Sequence, residues 1–387
     1  MDRLPPRLPK RSLYGFLVLA LLALLAACGT DTTAPPRAKA TATPALPAAL
    51  DNATVYVATF SQSVDNELYA FNARTGATRW KQPLGAATFG AVAVGGGLVY
   101  IVPRDGGVYA FDAGTGKHVW QYKRDVAIDG YPTVANGMVY VGTDDGSIYA
   151  LDARAGTLRW RFNAPGTQPH IYMAAATDGH AVYFGTSGDD MGVYALDATS
   201  GKQVWHVATP VGVEGTPAVV HGVLYQGEKD GYLVARKTSD GSVIWRERQT
   251  SESIQAQPLI ANGVVYTASF DATITALQVV HGDKVWSYTT GNEIWSSPAL
   301  ANGTVYVGSR DGTLYALDAA SGAVRWRFAA SADIYAFGAP VAVMDNTVYT
   351  SSLDGYVYAL DATTGHLAWR DSVVGQVYAA PVVIANG

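Results

Sequence analysis

One cysteine, Cys28, stands in a chain of 387 residues. A lone thiol excludes an internal disulfide, a zinc site built on paired cysteines and a covalently attached c-type haem. Charge is sparse as well: Asp, Glu, Lys and Arg make up 15% of the residues, and the formal net charge is −5. Without a basic surplus, a nucleic-acid partner is not expected. Beyond residue 27 no apolar run is long enough for a membrane-crossing helix. The seven histidines show no His-x-x-x-His spacing, and no Ser-His-Asp arrangement is visible. No metal ligand and no catalytic residue is therefore assigned. Gly (41), Tyr (23) and Trp (9) are plentiful instead, which predicts short strands joined by tight turns.

The first residues read as a targeting segment rather than as part of the fold. Arg3, Arg7, Lys10 and Arg11 precede an apolar run over residues 12–27, which ends Leu25-Ala26-Ala27-Cys28-Gly29. This pattern resembles a bacterial lipobox. It predicts a signal peptide over residues 1–27 and lipidation of Cys28, with the protein held on the extracytoplasmic face of a membrane in the cell envelope. Removing residues 1–27 takes away a net charge of +3 and moves the remainder from −5 to −8. Residues 29–50 are rich in Pro, Ala and Thr without periodicity, so residues 28–50 form a disordered, lipidated tether. In polyproline geometry its reach is at most roughly 70 Å.

Residues 51–387 are a repeat. Gly-x-x-x-Trp recurs eight times, ending at Trp80, Trp120, Trp160, Trp205, Trp245, Trp286, Trp326 and Trp369, at intervals of 40 to 45 residues. A Tyr keeps the same phase upstream, from Tyr56 and Tyr100 to Tyr306 and Tyr349. Within one unit, Asn302-Gly303, Asp311-Gly312 and Ser321-Gly322 punctuate four short apolar segments. Four antiparallel strands in that length make one propeller blade, and eight blades stacked radially bury one another's faces. The first unit lacks a leading strand, and residues 380–387 supply one. The fold class is all-β: a monomeric eight-bladed propeller of four-stranded antiparallel blades, closed by the C-terminal strand pairing into the N-terminal blade.

The consensus Tyr-Ala-Leu-Asp-Ala-x-x-Gly-x-x-x-Trp, clearest at Tyr149–Trp160 and Tyr315–Trp326, resembles the tryptophan-docking repeat of the PQQ-type (quinoprotein) propellers. The eight Trp residues are read as structural docking groups. Asp112, Asp152, Asp197, Asp318 and Asp361 precede turns and are expected to accept turn N–H groups, not to bind metal. The fifth and sixth blades depart from the consensus, at Val234-Ala235-Arg236-Lys237 and Ala276-Leu277-Gln278; drift explains this more readily than a special contact.

Function is expected at the channel mouth, where residues vary between blades. Ile128, Val213, Ile254, Ile294 and Val377 stand four residues before the Pro of an innermost strand and are expected to face the core. Their successors are Asp129, Glu214, Gln255, Trp295 and Tyr378, and looser alignment adds Thr88, Tyr172 and Tyr335. This ring reads either as a recognition rim or as an ordinary solvated edge.

Three functions follow. In layout the chain resembles the eight-bladed lipoprotein of the outer-membrane β-barrel assembly machinery, which implies a non-catalytic scaffold that binds another envelope protein. The tether also suits lipoproteins of bacteria with a single membrane, where that role has no place. The quinoprotein resemblance implies instead a dehydrogenase holding PQQ and Ca2+, with Trp295, Glu214 and Asn292 in the binding roles. Against it stand the missing adjacent-cysteine disulfide, the short chain and the lack of a basic cluster, so no cofactor is expected. The aromatic ring suits, thirdly, a carbohydrate- or ligand-binding surface module.

Overall fold

The punctuating pairs do what their stereochemistry demands. Asn302 and Gly303 adopt φ values of 49° and 67°, and this two-residue turn joins Ala299–Ala301 to Thr304–Gly308. Asn136-Gly137 and Asn262-Gly263 repeat it. The computed structural model describes residues 46–61, 66–88, 91–124, 128, 130–330, 337–378 and 380–385. In it the strands form eight antiparallel sheets whose innermost strands neighbour one another around a ring. Blade 1 holds residues 53–83 and Val382–Ala385; blades 2 to 8 hold residues 93–123, 133–163, 169–208, 218–248, 259–289, 299–329 and 342–372. Blade 4 carries an additional short strand, Pro169–His170, paired with Ala181–Gly188. No α-helix occurs among the described residues.

The C-terminal strand closes the ring. Val382–Ala385 pairs antiparallel with Ala53–Ala58, with Val55 opposite Val383. The inner edge of the first strand is thereby covered.

Neighbouring blades are joined by one repeated contact. Each docking indole donates to a carbonyl on the turn before the outermost strand of the next blade: Trp80 to Ala113, Trp120 to Ala153, Trp160 to Ala198. Tyr56 and Tyr100 donate their hydroxyls to these same oxygens of Ala113 and Ala153. The motif glycine is where the indole lies: a Cβ on Gly116 would sit 2.6 Å from the ring of Trp80, and one on Gly365 would sit 2.7 Å from Trp326. The glycine therefore permits the close approach, and the alanine contributes its carbonyl. The turn carboxylates behave as expected. Asp318 accepts the N–H groups of Ala320 and Ser321, and Arg325 and Ser321 hold its carboxyl down to about 2.

The ring has two unlike faces. One carries the turns between third and fourth strands and the hairpins between first and second. The other, the mouth, carries the loops between blades and the turns between second and third strands. The chain joins the propeller at the first face, through a short 3-10 turn, Ala48–Asn52. There Asp51 pairs with Arg74 and accepts from Asn72 and Arg79. Leu46 and Leu50 are buried in the core of blade 1, so residues 46–50 belong to the propeller and the tether ends before them. Cys28 and the remaining tether lie outside the described residues.

Candidate functional site

The loops between blades descend to the mouth through an anchored residue. Ile128, Val213, Ile254, Ile294 and Val377 are all at most 2% exposed. Alternation then turns each successor away from the core. Two loops run in a different register from the one expected. Before blade 8, Phe337 takes the buried place, against Gly308, that Ile254 takes against Gly227. Its successor is Gly338, not Tyr335, and Tyr335 itself lies outside the described residues. Before blade 2, Thr88 is itself buried and donates to the carbonyl of Val102, so it is an anchor and not a rim residue. Asp129 also lies outside the described residues.

Below the mouth lies a cavity of about 870 Å3. Gln255, Trp295 and Tyr378 line it, as do Tyr131, Gln257 and Phe270. Tyr172 and Glu214 stand outside its wall. Tyr172 stacks on His170, whose Nδ1 lies 2.7 Å from the carbonyl of Asp144. Glu214 pairs with Lys229 at 2.9 Å and accepts from Nε2 of Gln255 at 3.0 Å.

A second ring, missed from the sequence, supports the first. It is formed by the residue four places after the phased Tyr. Phe60 packs edge-on against Tyr378, Lys229 pairs with Glu214, Phe270 stacks on Trp295, and Arg310 lies 4.4 Å over that same indole. Glu293 accepts from both Trp295 and Arg310. A table of the Tyr+4 positions would have shown this variability.

Blade 5 departs from the repeat for a structural reason, which overturns the reading of drift. Gln226, Glu228 and Arg236 share the face that Leu224 turns to blade 4, and all three are buried. They stand where other blades carry Val141, Thr143 and Leu151. Arg246 grips Glu228 with Nε at 3.0 Å and a terminal nitrogen at 2.7 Å, and also reaches Asp230 at 3.0 Å. Arg236 donates to the carbonyl of Gly241 and lies 3.9 Å from Glu228. Lys229 sits between the two carboxylates held by Arg246 and is thereby aimed at Glu214.

With this geometry in view, relatives can be compared. The family model described as outer membrane protein assembly factor BamB matches residues 31–127, 65–192, 189–296, 288–337 and 311–386. The chain belongs to this family. Among solved structures, the BamB crystal structure from Moraxella catarrhalis superposes with a TM-score of 0.64 at 22% identity, covering 75% of this chain and 89% of that one. A computationally designed protein, Ika8, reaches a TM-score of 0.67 at 17% identity, covering 80% of this chain and 96% of that one. These likenesses concern the propeller fold. No curated protein matches the chain.

For a BamB-type propeller with quinoprotein-like repeats, PQQ is the cofactor to test. The described residues do not fit it. The described wall of the cavity contains no Asp, Glu, Lys, Arg or His. The carboxylates of PQQ would meet no cation there, and Ca2+ no carboxylate. Glu214 is engaged by Lys229 and Gln255, and Oδ1 of Asn292 accepts the N–H of Glu293. Among the described residues no group of three or more acidic or histidine side chains is placed to hold a metal.

Proposed function

We propose that this chain is a lipid-anchored, non-catalytic scaffold of the bacterial envelope that acts in outer-membrane protein assembly and grips a partner protein at the channel mouth. The observation that carries this reading is the BamB family match, which runs through all eight blades. The asymmetry of the ring supports it. The chain joins the propeller at the face opposite the mouth, so its entry over residues 46–52 does not obstruct the mouth. The mouth also has the make-up of a binding hot spot, since Trp and Arg dominate such centres. Trp295 is 41% exposed, yet Phe270, Arg310 and Glu293 fix it in place.

The test is crosslinking and co-purification from membranes of the host. The wild-type chain is expected to capture an envelope protein, and Trp295→Ala and Glu214→Ala are expected to lose it while keeping the wild-type melting temperature. Cys28→Ala should release the protein from the membrane fraction. Capture that is indifferent to both rim substitutions would move the interface elsewhere on the ring, and a Cys28→Ala protein still in membranes would remove the anchor.

A further inference from the structure

We propose that the cavity at the channel mouth binds an uncharged oligosaccharide. Its volume of about 870 Å3 falls within the range of small-ligand sites. Three features of the wall specify the ligand.

The first is the lack of ionisable charge. No described wall residue is acidic, basic or a histidine. A charged ligand would leave water without a partner of opposite sign. The described wall therefore favours a neutral ligand.

The second is a pair of amides whose orientation is forced. Nε2 of Gln255 donates to Oε2 of Glu214 at 3.0 Å, and Nε2 of Gln257 donates to the carbonyl of Pro217 at 3.1 Å. Carboxylate and carbonyl oxygens only accept, so neither amide can flip. Each Oε1 is left as an acceptor, and no described residue donates to either. The wall hydroxyls of Thr133 and Thr177 already donate to the carbonyls of Ala175 and Ala181. Each Nε2 also keeps its second N–H, so each amide offers a ligand an acceptor and a donor side by side. A polyol, whose hydroxyls both donate and accept, matches that pairing.

The third is rigid aromatic surface. Tyr131, Phe270, Trp295 and Tyr378 line the cavity, and aromatic walls suit the C–H faces of sugar rings. Trp295 already carries Phe270 and Arg310 against its ring, so it acts as a fixed wall and not as an open stacking platform. Preorganisation of this kind lowers the ordering cost of binding.

The proposal stands apart from the scaffold reading, since a failed titration would leave partner capture untouched. The experiment is calorimetric titration of the mature protein with neutral hexasaccharides of glucose, N-acetylglucosamine and mannose. A galacturonic acid hexamer and an uncharged Ser/Ala hexapeptide serve as controls. At least one neutral sugar is expected to bind saturably, with Kd between roughly 10 μM and 1 mM, and both controls are expected to be silent. Gln255→Met and Gln257→Met should each weaken binding about three- to tenfold. Both sites are solvent-accessible, so the melting temperature should hold and a loss of binding is not a loss of fold. Silence from every neutral sugar, undiminished binding by the double variant, or binding of the peptide instead would each overturn the proposal.

Discussion

Nε1 of Trp369 donates to the carbonyl oxygen of Ala73 at 2.9 Å, across 296 positions of sequence. Tyr349 donates to the same oxygen at 3.0 Å. Blade 8 thus meets blade 1 through the same pair of bonds by which Trp120 and Tyr100 meet Ala153 between sequence neighbours. Nothing local brings these ends together. The closing contact is the ordinary interblade contact, used once at long range, and the paired strand Val382–Ala385 is added to it.

The hydrogen bonds match, but Trp120 is buried and Trp369 only partly so. Truncating a large buried aromatic costs about 3–5 kcal/mol, so Trp120→Ala should lose stability in that range and Trp369→Ala somewhat less in urea denaturation. The two should also differ kinetically. Loss of Trp369 weakens the point where the ring opens, and its unfolding rate should rise more. A Trp369→Ala protein as stable as wild type would mean that the C-terminal strand alone holds the circle.

Removing residues 380–387 should leave the inner edge of Ala53–Ala58 unpaired. That strand is apolar and buried along its length, which makes a bare edge a template for pairing with another chain. The truncated protein is expected to dimerise or aggregate on size-exclusion chromatography with light scattering. Addition of a peptide spanning residues 380–387 should restore the monomer. A truncated chain that stays monomeric with wild-type melting would contradict the closure described above.

The circle itself was legible in the sequence because its signals are local and repeated eight times. Trp does the same job in every blade, and Tyr and Asp in most of them, so phase alone reveals them. The mouth was half legible. Alternation placed Gln255, Trp295 and Tyr378 on the cavity wall, but the register failed where the anchor changed type, at Thr88 and before Phe337. The second ring of Phe60, Lys229, Phe270 and Arg310 was missed because its partners lie on loops distant in sequence. The cluster of Gln226, Glu228 and Arg236 looked like drift because three polar residues scattered over two strands gain meaning only once the strands pair.

Alkali should test the tyrosine half of the interblade contact. Burial raises the phased tyrosines, with Tyr100 pushed up to about 12 and Tyr56, Tyr266 and Tyr306 raised in the same direction. The folded state therefore favours the protonated phenol more than the unfolded chain does. This contribution is complete below about pH 10, where the unfolded phenol titrates, and is lost as pH rises toward 12. A shift of the size seen at Tyr100 contributes about 2–3 kcal/mol of stability that is lost across this window. The melting temperature should fall steeply between those limits, and Tyr100→Phe should flatten the fall. A wild-type melting temperature that is flat across the window would refute the shift.

The seam between blades 4 and 5 yields the sharpest test of how the repeat was specialised. Glu228 is fully buried, and Arg246 and Arg236 compensate it. Glu228→Ser alone leaves Arg236 without its carboxylate, and such a loss costs about 3–5 kcal/mol. Arg236→Leu alone should also destabilise, because Glu228 and the unpartnered amide of Gln226 stay behind. Changing all three positions to residues found at these places in other blades, Gln226→Val with Glu228→Ser and Arg236→Leu, removes every uncompensated group together. The triple variant should then be as stable as wild type, or more stable by about 1–4 kcal/mol. Simple addition of the single effects would show that the three side chains act independently. A stable triple variant that also loses its captured partner would say more: the charged seam persists because it aims Lys229, and through it Glu214 and Gln255, at whatever enters the mouth.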